Sequence, residues 1–236
     1  MSIDEWIFGI QPTIWFQQFV YPIAVDYFMI AYSMFFIYPF FYLIFLLQKN
    51  QVDIFQKVLL AQILALIISL GSFLLFPALG PRFILNPETA PIMDNVILYS
   101  NNLEGIILPL LYNLTEYKSL YAAQYDLWNF LERVKTDCFP SMHTCLCLIC
   151  LFYALRFKNL FKYRRLAIWF WIFGVASLIF STVYLRYHWV IDVITGIILA
   201  IVIYFITEWI FNRWVNFRIK QNIVFLNVPW FKNHHN

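Results

Sequence analysis

The sequence predicts an all-α, polytopic membrane helix bundle of five to six spans with an N-terminal interfacial or re-entrant segment. Three observations carry this prediction. The chain is 62% hydrophobic and 12% charged, whereas soluble domains are roughly 45–50% apolar and about 25% charged. Its mean hydropathy is +0.70. Its apolar residues gather into stretches close to the roughly 20 residues that cross a bilayer, with the basic residues segregated between them.

Residues 1–26 form the N-terminal segment, in which the aromatic stretch Trp6 to Ile23 is broken by Pro12 and Pro22. The first span runs from Tyr27 to Leu47 and should kink at Pro39, because proline cannot donate to a helix ladder. The second runs from Val58 to Phe76, the third from Ser141 to Phe157, the fourth from Leu166 to Tyr184 and the fifth from Trp189 to Phe211. Residues 82–139 form a long loop. Within it Ile106 to Leu114, which contains Pro109, is too short to cross, and Asn113-Leu114-Thr115 is a glycosylation sequon. Residues 212–236 form a tail, and the chain is one membrane domain.

Charge sets the orientation. Arg156, Lys158, Lys162, Arg164 and Arg165 crowd one short loop, Lys49 and Lys57 another, and Arg213, Arg218, Lys220 and Lys232 the tail. These regions should face the cytoplasm. The other side collects acids, among them Asp4, Glu5, Glu88, Asp94 and Glu104. Few charges remain to bind nucleic acid. Cys145, Cys147 and Cys150 lie in an apolar run, where cysteines act as small hydrophobes, and no cysteine spacing indicates a disulfide or zinc framework. Cys138 is read as incidental. No basic region precedes the first apolar stretch, so no cleaved signal is expected.

This alternation puts the end of the second span, the start of the third and the junction of the fourth and fifth at one non-cytoplasmic level. His143, His188, Asp192, Arg82 and Arg186 are there. Polar groups near hydrocarbon are costly and usually functional. Asp192 follows His188 by four residues and shares a helical face with it. Its carboxylate can fix the imidazole tautomer and free the other nitrogen as a nucleophile. His143 follows Pro140, a favourable first-turn residue. The amides of Ser141, Met142 and His143 then form a helix start of the kind that binds phosphate. Arg82 and Arg186 add forked donors. Together these groups suggest phosphoryl transfer through a phosphohistidine. Blander readings stand beside this one: Asp192 complementing a helix dipole, the arginines snorkelling, Ser141 as a plain cap. A metal held by His143, His188 and Asp192, or bis-histidine haem, is disfavoured because neighbouring arginines repel a metal and attract phosphate.

Pro140-Ser141-Met142-His143 resembles the second signature of the type 2 phosphatidic acid phosphatase superfamily, a Pro-Ser-x-His block. Ser181, His188 and Asp192 match the spacing of its third signature, and Gly196 fits the usual continuation. Arg82 lies in the region of the first. The resemblance implies that His188 attacks phosphorus, Asp192 orients it and His143 protonates the leaving alcohol. It also implies that Arg82, Ser141 and the backbone of Met142 hold phosphate oxygens, with neither metal nor cofactor needed. The family's first-signature Lys is replaced here by Leu75, its Arg-Pro order by Pro81-Arg82, its third-signature Arg by Thr182 and its second-signature Gly by Met142. With Trp6 to Gly9 and Pro12 to Trp15, these departures resemble the branch of inositol phosphorylceramide synthase-like proteins. Arg186 is the candidate replacement for the missing guanidinium. The expected function is a membrane lipid phosphatase; the alternatives are a lipid phosphotransferase and a non-catalytic phospholipid-binding protein. The expected partners are a lipid phosphate or phospholipid and the bilayer.

Overall fold

The computed structural model describes residues 3–19, 22–81 and 138–220. Arg82, the long loop with its short apolar element and sequon, and the tail beyond residue 220 lie outside the described residues. Eight α-helices occur among those described, and no strand does. They are α1 (Ile3–Phe8), α2 (Pro12–Trp15), α3 (Pro22–Ser33), α4 (Tyr38–Gln48), α5 (Val52–Leu75), α6 (Met142–Arg156), α7 (Arg164–Tyr184) and α8 (Val190–Lys220).

Three helices are long and apolar enough to cross a membrane: α5, α7 and the Val190–Arg218 stretch of α8. The first expected span is a bent pair. Its halves, Ile23–Phe36 and Tyr38–Gln48, meet at 50°, and counting them as one span makes four. Pro39 sits in the first turn of α4. Its ring and missing N–H are tolerated there but would clash with a continuous helix. The break therefore falls just before the proline, through a 3₁₀ turn at Met34–Phe36. The third expected span, α6, has only 15 residues. At 1.5 Å per residue that is about 22 Å, short of a roughly 30 Å hydrocarbon core. The fifth helix continues past the expected Phe211 to Lys220.

Helix α6 is the centre of the bundle, packed by α4, α5, α7 and α8. Cys145 to Cys150 are all buried along it. Small residues in such a run let neighbouring backbones approach closely. Around it pack Tyr42, Leu46, Val58, Ala61, Trp171 and Ile203. The outer helices show their apolar faces outward, as Leu74 (86% exposed), Trp169 (69%) and Phe205 (65%) illustrate. These are the surfaces that lipid would cover. A smaller cluster joins α3 to the turn after α7 through Val25, Met29, Tyr32, Tyr184, Leu185 and Tyr187.

The basic ends of the helices meet at one end of the bundle. Glu208 on α8 binds Lys57 of α5 at 3.0 Å and Arg156 of α6 at 3.1 Å, and Arg156 also donates to the Tyr204 hydroxyl. The end of α5, the start of α6, the end of α7 and the start of α8 meet at the opposite end. The contacts there run from Cys138 to Ala78, from Ser141 to Asp192 and from Trp189 to Leu79.

Candidate active site

Helix α7 stops where its last carbonyls are capped by the turn that follows. Tyr187 N–H bonds to Thr182 O and Arg186 N–H to Val183 O, the paired bonds of a Schellman stop. Such a stop needs one left-handed residue, usually glycine; here it is Arg186, at φ 63°. This turn delivers His188, which precedes α8 rather than standing on it. The His188 backbone N–H also bonds to Thr182 O. Thr182 itself turns away, its hydroxyl donating to Ile179 O at 2.7 Å.

The two histidines meet. His143 Nδ1 lies 3.2 Å from His188 Nε2. His143 is walled by Phe35 (4.1 Å between ring centroids) and Tyr32 (4.7 Å), and Tyr32 stacks in turn on Tyr187. Two long side chains thus fix the ring plane of His143. His188 is 4% exposed and Asp192 1%.

Behind His188 the geometry departs from the expected direct bond. His188 Nδ1 and Asp192 Oδ2 are 3.7 Å apart, beyond a hydrogen bond. The thiol of Cys138 stands between them, 3.3 Å from Nδ1 and 2.9 Å from Oδ2, to which it donates. Cys138 is therefore not incidental. One proton assignment suits the chain from Asp192 to His143: the thiol proton on Asp192, the nearer of its two acceptors (Tyr187 O lies at 3.3 Å), the Nδ1 proton of His188 on sulfur, and the Nδ1 proton of His143 on His188 Nε2. It leaves the electron pair of Nε2 facing His143. Asp192 Oδ2 also accepts the Trp189 N–H at 2.8 Å. This is the helix-start half of a capping box, so the carboxylate caps α8 and backs the histidine at once.

Ser141 is the N-cap of α6. Its oxygen accepts from Thr144 N at 3.3 Å and from the Thr144 hydroxyl at 3.0 Å. Its own N–H donates to Asp192 O at 3.0 Å. The plain-cap reading of Ser141 thus holds, and its amide is not one of the free helix-start donors expected. Pro140 lies before the cap instead of in the first turn. Met142 opens the helix, and Arg186 is buried two residues before His188. The α6 start and α8 touch backbone to side: a Cβ on Gly196 would come within 2.6 Å of Ser141 O, so this contact excludes any larger residue.

The sequence pattern concealed one further residue. Asp4, 1% exposed, accepts from Val190 N at 2.8 Å and Ile191 N at 2.9 Å. Its carboxylate occupies the start of α8, where a helix end attracts negative charge. No local signal links residue 4 to residues so distant along the chain. Beside it a groove of about 780 Å³ runs between α1, the end of α5 and the start of α8. Ile3, Leu75, Phe76, Phe139, Trp189 and Ile191 line it, together with Asp4 and Asp192.

A search of curated proteins and a search of solved structures found no match. The sequence profile of the PAP2 superfamily matches residues 1–206, a range that holds His143, His188 and Asp192 and most of the chain. The chain therefore belongs to the PAP2 superfamily of phosphatases and phosphotransferases, and its function is of the phosphatase type.

Proposed function

We propose that this protein is an integral membrane lipid phosphatase that hydrolyses a lipid phosphomonoester through a phosphohistidine on His188. The observation that carries the reading is the 3.2 Å approach of His143 Nδ1 to His188 Nε2, with Asp192 and the Cys138 thiol behind. The Nε2 electron pair attacks phosphorus and the bond to the lipid oxygen breaks. Protonated His143 gives its proton to that oxygen. His143 then takes a proton from water, whose oxygen attacks phosphorus. The P–N bond breaks and inorganic phosphate leaves. In-line displacement puts attacker and leaving group on opposite sides of phosphorus, so phosphate entry must part the two rings. Arg82, Arg186, Ser141 and the Met142 backbone are the proposed phosphate-binding groups. The apolar groove beside Asp192 suits an acyl chain. The positive-inside rule puts this site on the non-cytoplasmic face and the C-terminus in the cytoplasm, with five spans if α6 counts as one.

The second reading is a phosphotransferase of the inositol phosphorylceramide synthase type, in which a lipid alcohol replaces water. Its support is the loss of charge at Leu75 and Thr182, the latter folded back on its own helix. Purified protein given labelled phospholipid, with and without an alcohol acceptor, separates the two by whether label leaves as inorganic phosphate or joins the acceptor. Acid-labile, base-stable label on the protein should vanish in His188→Gln. Its absence from active wild-type protein sinks the mechanism. Inactivity toward every phospholipid class points to a non-catalytic lipid-binding protein.

A further inference from the structure

Three different donor atoms converge on one face of His188: Cys138 Sγ, His188 Nδ1 and Asp192 Oδ2, all within 4.8 Å of one another and all on buried residues. We propose that they form a binding site for a thiophilic divalent cation of the Zn²⁺ class, and that filling it shuts the histidine off. The edges of the donor triangle are 3.3 Å (S to N), 3.7 Å (N to O) and 2.9 Å (S to O). Tetrahedral zinc, with bonds of about 2.0–2.3 Å, spaces its ligands about 3.3–3.7 Å apart. For this donor set a tetrahedral ion asks for about 3.5 Å from sulfur to either partner and about 3.3 Å from nitrogen to oxygen, so the first edge is within about 0.2 Å and the second must close by about 0.4 Å. The third is short because the thiol proton is shared along it, and that proton is the one a metal displaces. In binding, the S–H bond breaks and its proton passes to solvent, the Nδ1 proton of His188 is replaced by one on Nε2 as the ring changes tautomer, and sulfur and Nδ1 bond the cation; no electron is transferred. Thiolate and carboxylate together neutralise two positive charges, and the Cys138 thiolate adds the charge that a His143, His188 and Asp192 set lacks against the repulsion of nearby Arg186. The groove that reaches Asp192 supplies an entry path.

The consequence lies on the other ring nitrogen. With the cation on Nδ1, the imidazole carries its proton on Nε2. The electron pair that faces His143 is then lost, and His188 can no longer attack. The binding step stands independently of the proposed phosphatase reaction; only the inhibition rests on it.

The test uses the full chain purified in detergent, with His234→Ala and His235→Ala removing the tail imidazoles. Zn²⁺ retained after dialysis should approach one ion per chain. Cd²⁺ should give a sulfur-to-metal charge-transfer band in the ultraviolet. Affinity should rise with pH, since the thiol must lose its proton. Cys138→Ser should abolish the band and weaken Zn²⁺ by more than the roughly 10–100-fold that loss of an outer-shell partner costs. Asp192→Asn should weaken it too. Substoichiometric Zn²⁺ in the wild type, or a Cd²⁺ band that survives Cys138→Ser, overturns the proposal. Both wild-type readouts remain decisive if a variant does not fold. Phosphomonoester hydrolysis by metal-free protein should fall on adding Zn²⁺ and return with a chelator, and hydrolysis that persists with the site filled overturns the inhibitory role. One bound ion in a chain that hydrolyses nothing leaves the site standing and removes the phosphatase reading.

Discussion

Arg186 occupies a backbone conformation that glycine would adopt at no cost. A side-chain-bearing residue in the left-handed region is disfavoured by roughly 1–2 kcal/mol. Retention of such strain two residues from His188 accords with the phosphate-binding role proposed for the guanidinium. Arg186→Gly should therefore raise the melting temperature in detergent while raising KM for a phosphorylated substrate. A variant with higher stability and unchanged KM removes Arg186 from phosphate binding. Gly196 makes the opposite case, since nothing larger fits against Ser141 O at 2.6 Å. Gly196→Ala should destabilise by about 1–3 kcal/mol through overpacking, read as a lower denaturation midpoint, and should depress turnover because the Ser141 backbone it would push also bonds to Asp192 O. At this scale the nearness of His188 to Asp192 was legible from their four-residue spacing, although His188 stands before α8 and the two do not bond directly, and the approach of His143 was expected only from the alternation of spans. The role of Cys138 was not legible, because a thiol five residues before His143 acquires it only when α8 brings His188 and Asp192 alongside.

Helix α8 begins under two carboxylates, Asp192 from within and Asp4 from α1. Capping side chains contribute about 0.5–2 kcal/mol. Asp4→Ala should cost that much in thermal or denaturant unfolding, with Asp4→Asn losing less because its amide oxygen can still accept. Equal stability of all three forms would remove the cap role. Elements themselves were well forecast from apolar runs and prolines: α5, α7 and α8 follow their stretches, and the α3–α4 break precedes Pro39. Helix α6 was forecast from Ser141 to Phe157, one residue beyond each of its observed ends. Its central place was not legible, because hydropathy reports how apolar a segment is and not whether protein or lipid surrounds it. Nine of its residues are buried by neighbouring helices.

Across the whole molecule, charge and chemistry separate to opposite ends. Lys57, Arg156 and Glu208 tie three helices together at one end, while His143, His188 and Asp192 gather at the other. Lys57 and Glu208 are each 12% exposed and Arg156 43%. Removing one partner of a buried ion pair costs about 3–5 kcal/mol. Glu208→Ala should fall toward the lower end, because Arg156 keeps contact with solvent. The measurement is the yield and melting temperature of detergent-purified protein, and a loss below about 1 kcal/mol would make this cluster a surface pair. The alternating charge bias had already predicted that both ends would be built this way, since orientation rules act on whole loops.

The clasp of Asp4 on Val190 and Ile191 also has a temporal side. Asp4 leaves the ribosome 186 residues before Val190, so the acid waits while helices α2 to α7 are made before its partners exist. Until then the emerging bundle has His143 but neither His188 nor the clasped start of α8. The contact between His143 and His188, and the clasp that Asp4 makes, therefore come into being only once the start of α8 has been made.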